Sequence, residues 1–376
     1  MEFLLDYGAF LLKAITVVVA VLLIVGGIVS LSSRAKRSHH EGELVIKKLN
    51  DELEDHKEQL EDVLLDEATL KAMAKARKKE EKEKAKADKL KAKEERRKEK
   101  ALPSVVSTDA DAEEDADLDD GEYKKRVFVL DFDGDIQASE VELLRQEITA
   151  VLTMATPRDE IVLRLESGGG MVHSYGLAAS QLQRIRDKGI PLTVCVDRVA
   201  ASGGYMMACL ADTLVAAPFA IIGSIGVVAQ LPNFNRLLKK HDVDIELFTA
   251  GEHKRTVTMF GHNTTKAREK FQSDLNDTHV LFKQHVSRYR PNVDVQAVAT
   301  GDIWYGQQAL DHHLIDAVGT SDDMIVNACH DSDVYHIRYE YKRSLQERFG
   351  IAAQTALATA LTRVLTALQK QVQSKG

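Results

Sequence analysis

Between residues 127 and 216, short apolar segments alternate with helical ones, and several of the apolar segments run into glycine-rich turns. That alternation restricts the fold more than any other feature of the chain. Residues 127–132, 161–165, 192–196 and 213–216 read as strands. Residues 139–154, 173–187 and 205–211 carry helical spacing. Such a pattern predicts parallel βαβ units and hence an α/β domain. Sites in parallel sheets gather at the carboxyl ends of the strands. Two glycine loops fall there, Ser167-Gly168-Gly169-Gly170 and Ser202-Gly203-Gly204.

Ser202 lies at a strand-to-helix joint, in Ala200-Ala201-Ser202-Gly203-Gly204-Tyr205-Met206. Paired glycines let the backbone turn sharply and approach a ligand closely. The helix that follows points free N–H groups at whatever the serine attacks. No histidine lies in this loop, so a base must come from elsewhere. Lys254, in Gly251-Glu252-His253-Lys254-Arg255, is the candidate. A free lysine titrates near 10.4. Burial in an apolar cleft penalises its charged form. A lysine so placed can take a serine proton and return it to a leaving amine. Neighbours must orient it, and the hydroxyl of Ser224, in Gly223-Ser224-Ile225-Gly226, suits that task. The glycine run at 167–170 follows a strand and precedes a helix, as a phosphate cradle or an oxyanion hole does. It lacks the Lys-Ser/Thr of a P-loop and the spacing of a dinucleotide fingerprint. Beside a serine loop, an oxyanion hole is the better reading.

Other readings of these residues compete. His173 and His253 flank the two loops in sequence, which leaves a Ser-His-Asp triad open. The segment Val129-Leu130-Asp131-Phe132-Asp133-Gly134-Asp135 resembles the nucleophile motif of haloacid-dehalogenase-type phosphatases. Those enzymes expect Thr or Val where Asp135 stands; the plainer reading is a strand entering an acidic turn. Cys195, Cys209 and Cys329 are scattered, with no Cys-x-x-Cys and no Cys/His ligand spacing. Cys195 and Cys209 lie in apolar surroundings and read as buried thiols.

The N-terminal third is of another kind. Residues 14–31 (AITVVVAVLLIVGGIVSL) are uncharged and apolar, and Leu11 and Leu12 extend the run. The spacing predicts a transmembrane anchor at about 9–31 within an N-terminal region 1–33, in contact with membrane lipid. The acidic flank of Glu2 and Asp6 and the lack of an Ala-x-Ala site argue against a cleaved signal. Arg34, Lys36 and Arg37 follow, which by the positive-inside rule leaves the rest of the chain in the cytoplasm. A second apolar run, 214–229, is broken by Pro218, Gly223, Ser224 and Gly226 and reads as buried strands and turns.

Residues 34–125 form a charged helical and acidic linker. From Glu41 to about Met73 the pattern is helical, with Ile46, Leu49, Leu53, Leu60, Val63 and Leu70 in alternating spacing. It suits a short coiled coil, or a helix packed on its own chain or the membrane surface. Residues 71–100 carry a net charge of +8, and 109–122 hold nine acidic residues and no basic one. The first reads as a solvated helix or a binder of RNA or anionic lipid, the second as a disordered spacer. The net charge of −8 argues against a nucleic-acid partner for the whole chain. Residues 126–340 read as the packed domain and 341–376 as a C-terminal helix.

The segments Leu163-Arg164-Leu165-Glu166-Ser167-Gly168-Gly169-Gly170, Val199-Ala200-Ala201-Ser202-Gly203-Gly204-Tyr205 and Gly223-Ser224-Ile225-Gly226, with Lys254, resemble the motifs of the signal peptide peptidase A family. The anchor, the charged spacer and Trp304-Tyr305-Gly306-Gln307-Gln308-Ala309 are most similar to its inner-membrane branch in Gram-negative bacteria. The resemblance implies a ClpP/crotonase-like fold of repeated ββα units, preceded by a transmembrane helix and a charged helical spacer. It implies a membrane-anchored serine endopeptidase acting on peptides or membrane-derived fragments. Ser202 would be the nucleophile, Lys254 the general base and Ser224 the group that orients the lysine. The N–H groups of Gly169 and Gly203 would form the oxyanion hole. Peptide or protein substrates, a homo-oligomer, an inner-membrane location and no cofactor or metal complete the expectation.

The chain departs from the family at two points. The family usually has Ser-Pro-Gly-Gly where this chain has Ser167-Gly168-Gly169-Gly170, and losing the proline loosens the loop. Family members also work on the outer side of the membrane, opposite to what the charge rule gives here. Two other functions remain open on the residues alone. A crotonase-type acyl-CoA enzyme would share the fold and oxyanion hole without needing the Ser202–Lys254 pair. A non-enzymatic membrane scaffold would be indifferent to changes at either residue.

Overall fold

The computed structural model describes residues 42–73, residues 75, 79, 82, 83 and 86, and residues 124–341. The anchor expected at about 9–31, the acidic spacer and the helix expected beyond residue 341 lie outside the described residues. Among the described residues, no helix is long and apolar enough to cross a membrane. The chain divides into two compact units, residues 46–338 and a second comprising residues up to 45 with those from 339 on. In the second, the Gly42 N–H donates to the Tyr339 hydroxyl at 3.2 Å.

The larger unit is an α/β domain built on a parallel sheet. Its central strands are β2 (Arg126–Gly134), β3 (Glu160–Ser167), β4 (Leu192–Val196) and β6 (Thr213–Ala216). Each pairs in parallel with the next in that order. β9 (Ala317–Val318) adds to β6, and β10 (Asp333–Tyr341) adds to the far side of β2, both in parallel. The order along the sheet is β1-β10-β2-β3-β4-β6-β9, with β1 spanning Gly42–Lys48. Three short strands branch from the carboxyl end of β3. β5 (Val199–Ala201) pairs with β3 through Ser167 and Ala200, then with β7 (Ile221–Gly223) in parallel. β7 pairs in turn with β8 (Ile303–Tyr305), antiparallel.

The central strands are almost continuously apolar because both faces are covered. On one side, α2 (Val141–Val151) and α3 (Val172–Asp187) bury Leu144, Ile148, Tyr175, Leu182 and Ile185. The ring of Tyr175 meets that of Phe132 edge-on at 6.4 Å. A second core gathers Val127, Val129, Val162, Cys195, Val215 and Val334 around Ile325 of α9 (Ser321–Asp331). Cys195 and Cys209 are buried as expected, and burial pushes both thiols up to about 12.

The helical pattern expected from Glu41 gives way to strand β1 over Gly42–Lys48, and helix α1 begins only at Leu49 (Leu49–Leu64). Val45 and Ile46 are β-branched, and a place beside β10 in the sheet outweighs the local spacing. The first turn of α1 is tied to the domain through Asn50. Its amide donates to the carbonyls of Cys329 and Ser332 and accepts from the Val334 N–H. Further along, Leu60, Val63 and Leu64 are exposed.

Candidate active site

Ser202 joins β5 to α4 (Gly203–Ala208). Its backbone sits at φ 52°, ψ −117°, a region serine adopts only under constraint. Two bonds hold it there. The Ser202 N–H donates to the Gly223 carbonyl at 2.8 Å, and the Ser202 carbonyl accepts from the Met206 N–H at 2.9 Å. The glycines after it are required by close approach. A Cβ on Gly203 would lie 2.4 Å from the Tyr175 ring, and one on Gly204 would lie 2.5 Å from the Ser167 carbonyl oxygen. The N–H of Gly203 opens a helix and so has no intrahelical acceptor.

The first glycine loop is pressed against this joint. Gly169 has φ +84°, and a Cβ there would lie 2.5 Å from the Gly203 nitrogen and 2.7 Å from Ser202 Cβ. The Gly169 N–H donates to Ser167 Oγ at 3.0 Å. Ser167 Oγ in turn donates to the Gly134 carbonyl at 3.0 Å and sits 2.5 Å from the Tyr175 hydroxyl. A Cβ on Gly168 would meet no heavy atom within 4 Å.

Ser224 directly follows β7 and is a neighbour of the serine loop, because Ala201 pairs with Gly223. It too has a positive φ, 50°, and its N–H donates to the Asp302 carbonyl at 2.7 Å. Ser202, Gly203, Gly169 and Ser224 thus form one constellation at adjoining strand ends. Lys254 is not bonded to it. It is exposed, its backbone N–H donates to the Gly251 carbonyl at 3.2 Å, and its side chain hydrogen-bonds neither serine. It belongs to a stretch, 228–260, whose apolar residues are largely uncovered; Val228 is 90% exposed and Phe248 87%.

His173 and His253 are both exposed, and His253 faces Glu252 at 4.0 Å. Two histidines that the sequence pattern did not mark support the serine helix and the Ser224 segment. Both lie on α6 (Thr265–Tyr289). His285 Nε2 donates to the Met206 carbonyl at 2.9 Å, and burial lowers its pKa, which favours the neutral ring. His279 Nε2 donates to the Ile225 carbonyl at 3.2 Å, steadying the segment that carries Ser224. The available signal was the spacing of His279 and His285 about Phe282 and Val286, which are the buried positions of that helix.

The acidic residues of β2 and of the turn after it are structural. Asp131 forms two bonds with Arg164 at 2.6 and 3.0 Å and one with His336 at 2.8 Å. Asp135 accepts from the N–H groups of Gln137 and Ser139 and from the Ser139 hydroxyl.

Two family models match the chain. One describes the N-terminal part of peptidase family S49 and covers residues 2–182; the other, peptidase family S49, covers 184–335. The chain is 48% identical over 365 residues to a probable protease SohB of Haemophilus influenzae, covering 97% of each. It is 54% identical over 241 residues to a probable protease SohB of Buchnera aphidicola, covering 64% of this chain and 72% of that one. It is also 32% identical over 169 residues to the capsid assembly protease C of Escherichia phage lambda, covering 44% of this chain and 38% of that one.

Proposed function

The chain belongs to peptidase family S49, among its SohB proteases, and on that premise we propose that it is a membrane-anchored serine endopeptidase working through Ser202 and Lys254. The observation that carries the reading is Ser202 itself, a constrained serine at a strand-to-helix joint with Gly169 packed against its Cβ. Ser202 Oγ attacks the peptide carbonyl carbon while its proton passes to Lys254 Nζ. The carbonyl oxygen becomes an oxyanion held by the N–H groups of Gly203 and Gly169. For this the Gly169 N–H leaves Ser167 Oγ, which keeps its bond to Gly134 and its contact with Tyr175. When the C–N bond breaks, the proton moves from Lys254 to the leaving amine. Water, giving a proton to the same lysine, then attacks the acyl carbonyl carbon, and the C–O bond to Ser202 breaks as Oγ takes that proton from Lys254.

A lysine serves as base at neutral pH only when water is kept from it. Lys254 is exposed on a stretch rich in uncovered apolar side chains. We read that stretch as the surface a second copy of the chain covers, drawing Lys254 toward Ser202 and Ser224. The expected ClpP/crotonase-like repeat fits the order β4-β5-α4-β6-β7, in which a strand pair precedes and follows the serine helix. The apolar run at 14–31 would tether the enzyme to the inner membrane, with the charge that follows it holding the domain in the cytoplasm.

The test uses the full chain in detergent with an unstructured protein as substrate. Ser202→Ala and Lys254→Ala should each reduce cleavage to background. Parental cleavage by both variants sinks the dyad.

A further inference from the structure

We propose that Trp304 is a positioning residue for the nucleophile, acting on Ser202 through Gly223. This deepens the reading of Ser202 given above and rests on it. Trp304 lies on β8, opposite Ile222 of β7, and the next pair along is Gly223 with Ile303. Gly223 is the residue whose carbonyl accepts the Ser202 N–H. It has φ +99°, and a Cβ there would lie 2.8 Å from Trp304 Cδ1 and 3.2 Å from the Asp302 carbonyl oxygen. The indole therefore occupies the space beside Gly223 and limits where its peptide can move.

The same strip of chain holds Ser224. The Asp302 carbonyl accepts the Ser224 N–H at 2.7 Å, and a Cβ on Gly226 would lie 3.1 Å from Gly301 Cα. Residues 301–304 thus back the whole segment from Gly223 to Gly226. Ser202 and Ser224 both have positive φ, at 52° and 50°. Such conformations persist only where the surroundings over-determine them. Trp304 is itself fixed against the His312 ring, with centroids 4.1 Å apart.

The indole N–H supplies the second argument. Trp304 Nε1 is buried and has no hydrogen-bond partner among the described residues. A buried donor left unpaired is destabilising. A smaller apolar side chain would avoid that penalty, so what the site draws from Trp304 is its rigid bulk against Gly223. The role is positional: no contact of Trp304 with a reacting atom is involved.

The test compares full-length Trp304→Phe, Trp304→Leu, Gly223→Ala and Ser202→Ala with the parent in detergent. Active sites are titrated by the acylation burst with an activated ester, and kcat and KM are measured per titrated site on a fluorogenic peptide. Trp304→Leu should lower kcat and the acylation rate by about tenfold to a hundredfold while KM stays near the parent's. Trp304→Phe, which keeps a ring, should recover part of the loss. Gly223→Ala should act in the same direction, through both the contact with Trp304 and the positive φ of the position. A merely structural role would lower the number of titratable sites and leave kcat per site unchanged. That result in both Trp304 variants, with Ser202→Ala inactive, overturns the proposal and leaves the nucleophile standing. Should Trp304→Leu fail to fold, Trp304→Phe decides alone on the same per-site measure. Parental activity in Ser202→Ala overturns the nucleophile assignment, and this inference with it.

Discussion

Ser202 holds its conformation because three glycines let other chain segments reach it. Gly169, Gly203 and Gly204 each sit where a Cβ would strike a neighbour at 2.4–2.5 Å. The turn at Ser202 was readable because a serine before paired glycines falls between an apolar strand and an apolar helix. The partner of the Gly169 N–H was not, since Ser167 Oγ gets its position from the pairing of β2 with β3, where Gly134 meets Ser167. Nor could the sequence tell that Lys254 would be exposed: that depends on what packs over it, and the bond its own N–H makes is local, to the Gly251 carbonyl. Gly168 differs from its neighbours: it has open space around it and no positive φ. The proline that the family resemblance leads one to expect at this position should therefore be tolerated. Gly168→Pro should stabilise the fold by about 0.4–1 kcal/mol, by restricting the unfolded chain. Thermal unfolding should show a rise in Tm with cleavage retained; a fall in Tm would mean that the loop needs the freedom of glycine.

Among the elements, β2, β3, β4 and β6 were legible because a strand buried on both faces reads as an unbroken apolar run. β5, β7 and β8 carry no run long enough to show in the sequence: each is three residues long and exists by pairing with the others. Helix α6 has 25 residues yet buries only Phe282 and Val286, so its apolar face is too sparse to announce it. Between β2, β3 and β10 lies a charged cluster with a measurable consequence. Burial alone would raise the Asp131 carboxyl, but bonds from His336 and Arg164 outweigh it and hold the group at about 2. A depressed carboxylate stabilises the fold above its unfolded pKa, near 3.9, and that stabilisation is lost as pH falls toward about 2. Asp131→Asn should cost on the order of 2 kcal/mol at pH 7 and flatten the stability curve between about pH 4 and 2. Denaturant unfolding across that range gives the answer; an unchanged slope would exclude the cluster as its source.

At the scale of the whole molecule, the peptidase domain presents an apolar surface on the stretch that carries its expected base. Phe248, 87% exposed, contributes nothing visible to the stability of the single chain. Phe248→Asp should leave the far-UV circular dichroism of the chain unchanged, reduce the assembled mass in sedimentation and lower cleavage together with it. A variant that sediments as one chain and cleaves like the parent would show that Lys254 needs no second copy. The anchor expected at about 9–31 and the charged linker bear on tethering and not on chemistry.

In the proposed mechanism the acyl group passes through Ser202 while Lys254 moves the protons. The most direct measurement is acid-quenching of the full chain during turnover of an activated ester, followed by peptide mass mapping. An acyl group is expected on the peptide containing Ser202, absent in Ser202→Ala and no longer accumulating in Lys254→Ala. An acyl group on any other residue, or cleavage by Ser202→Ala at the parental rate, would contradict it.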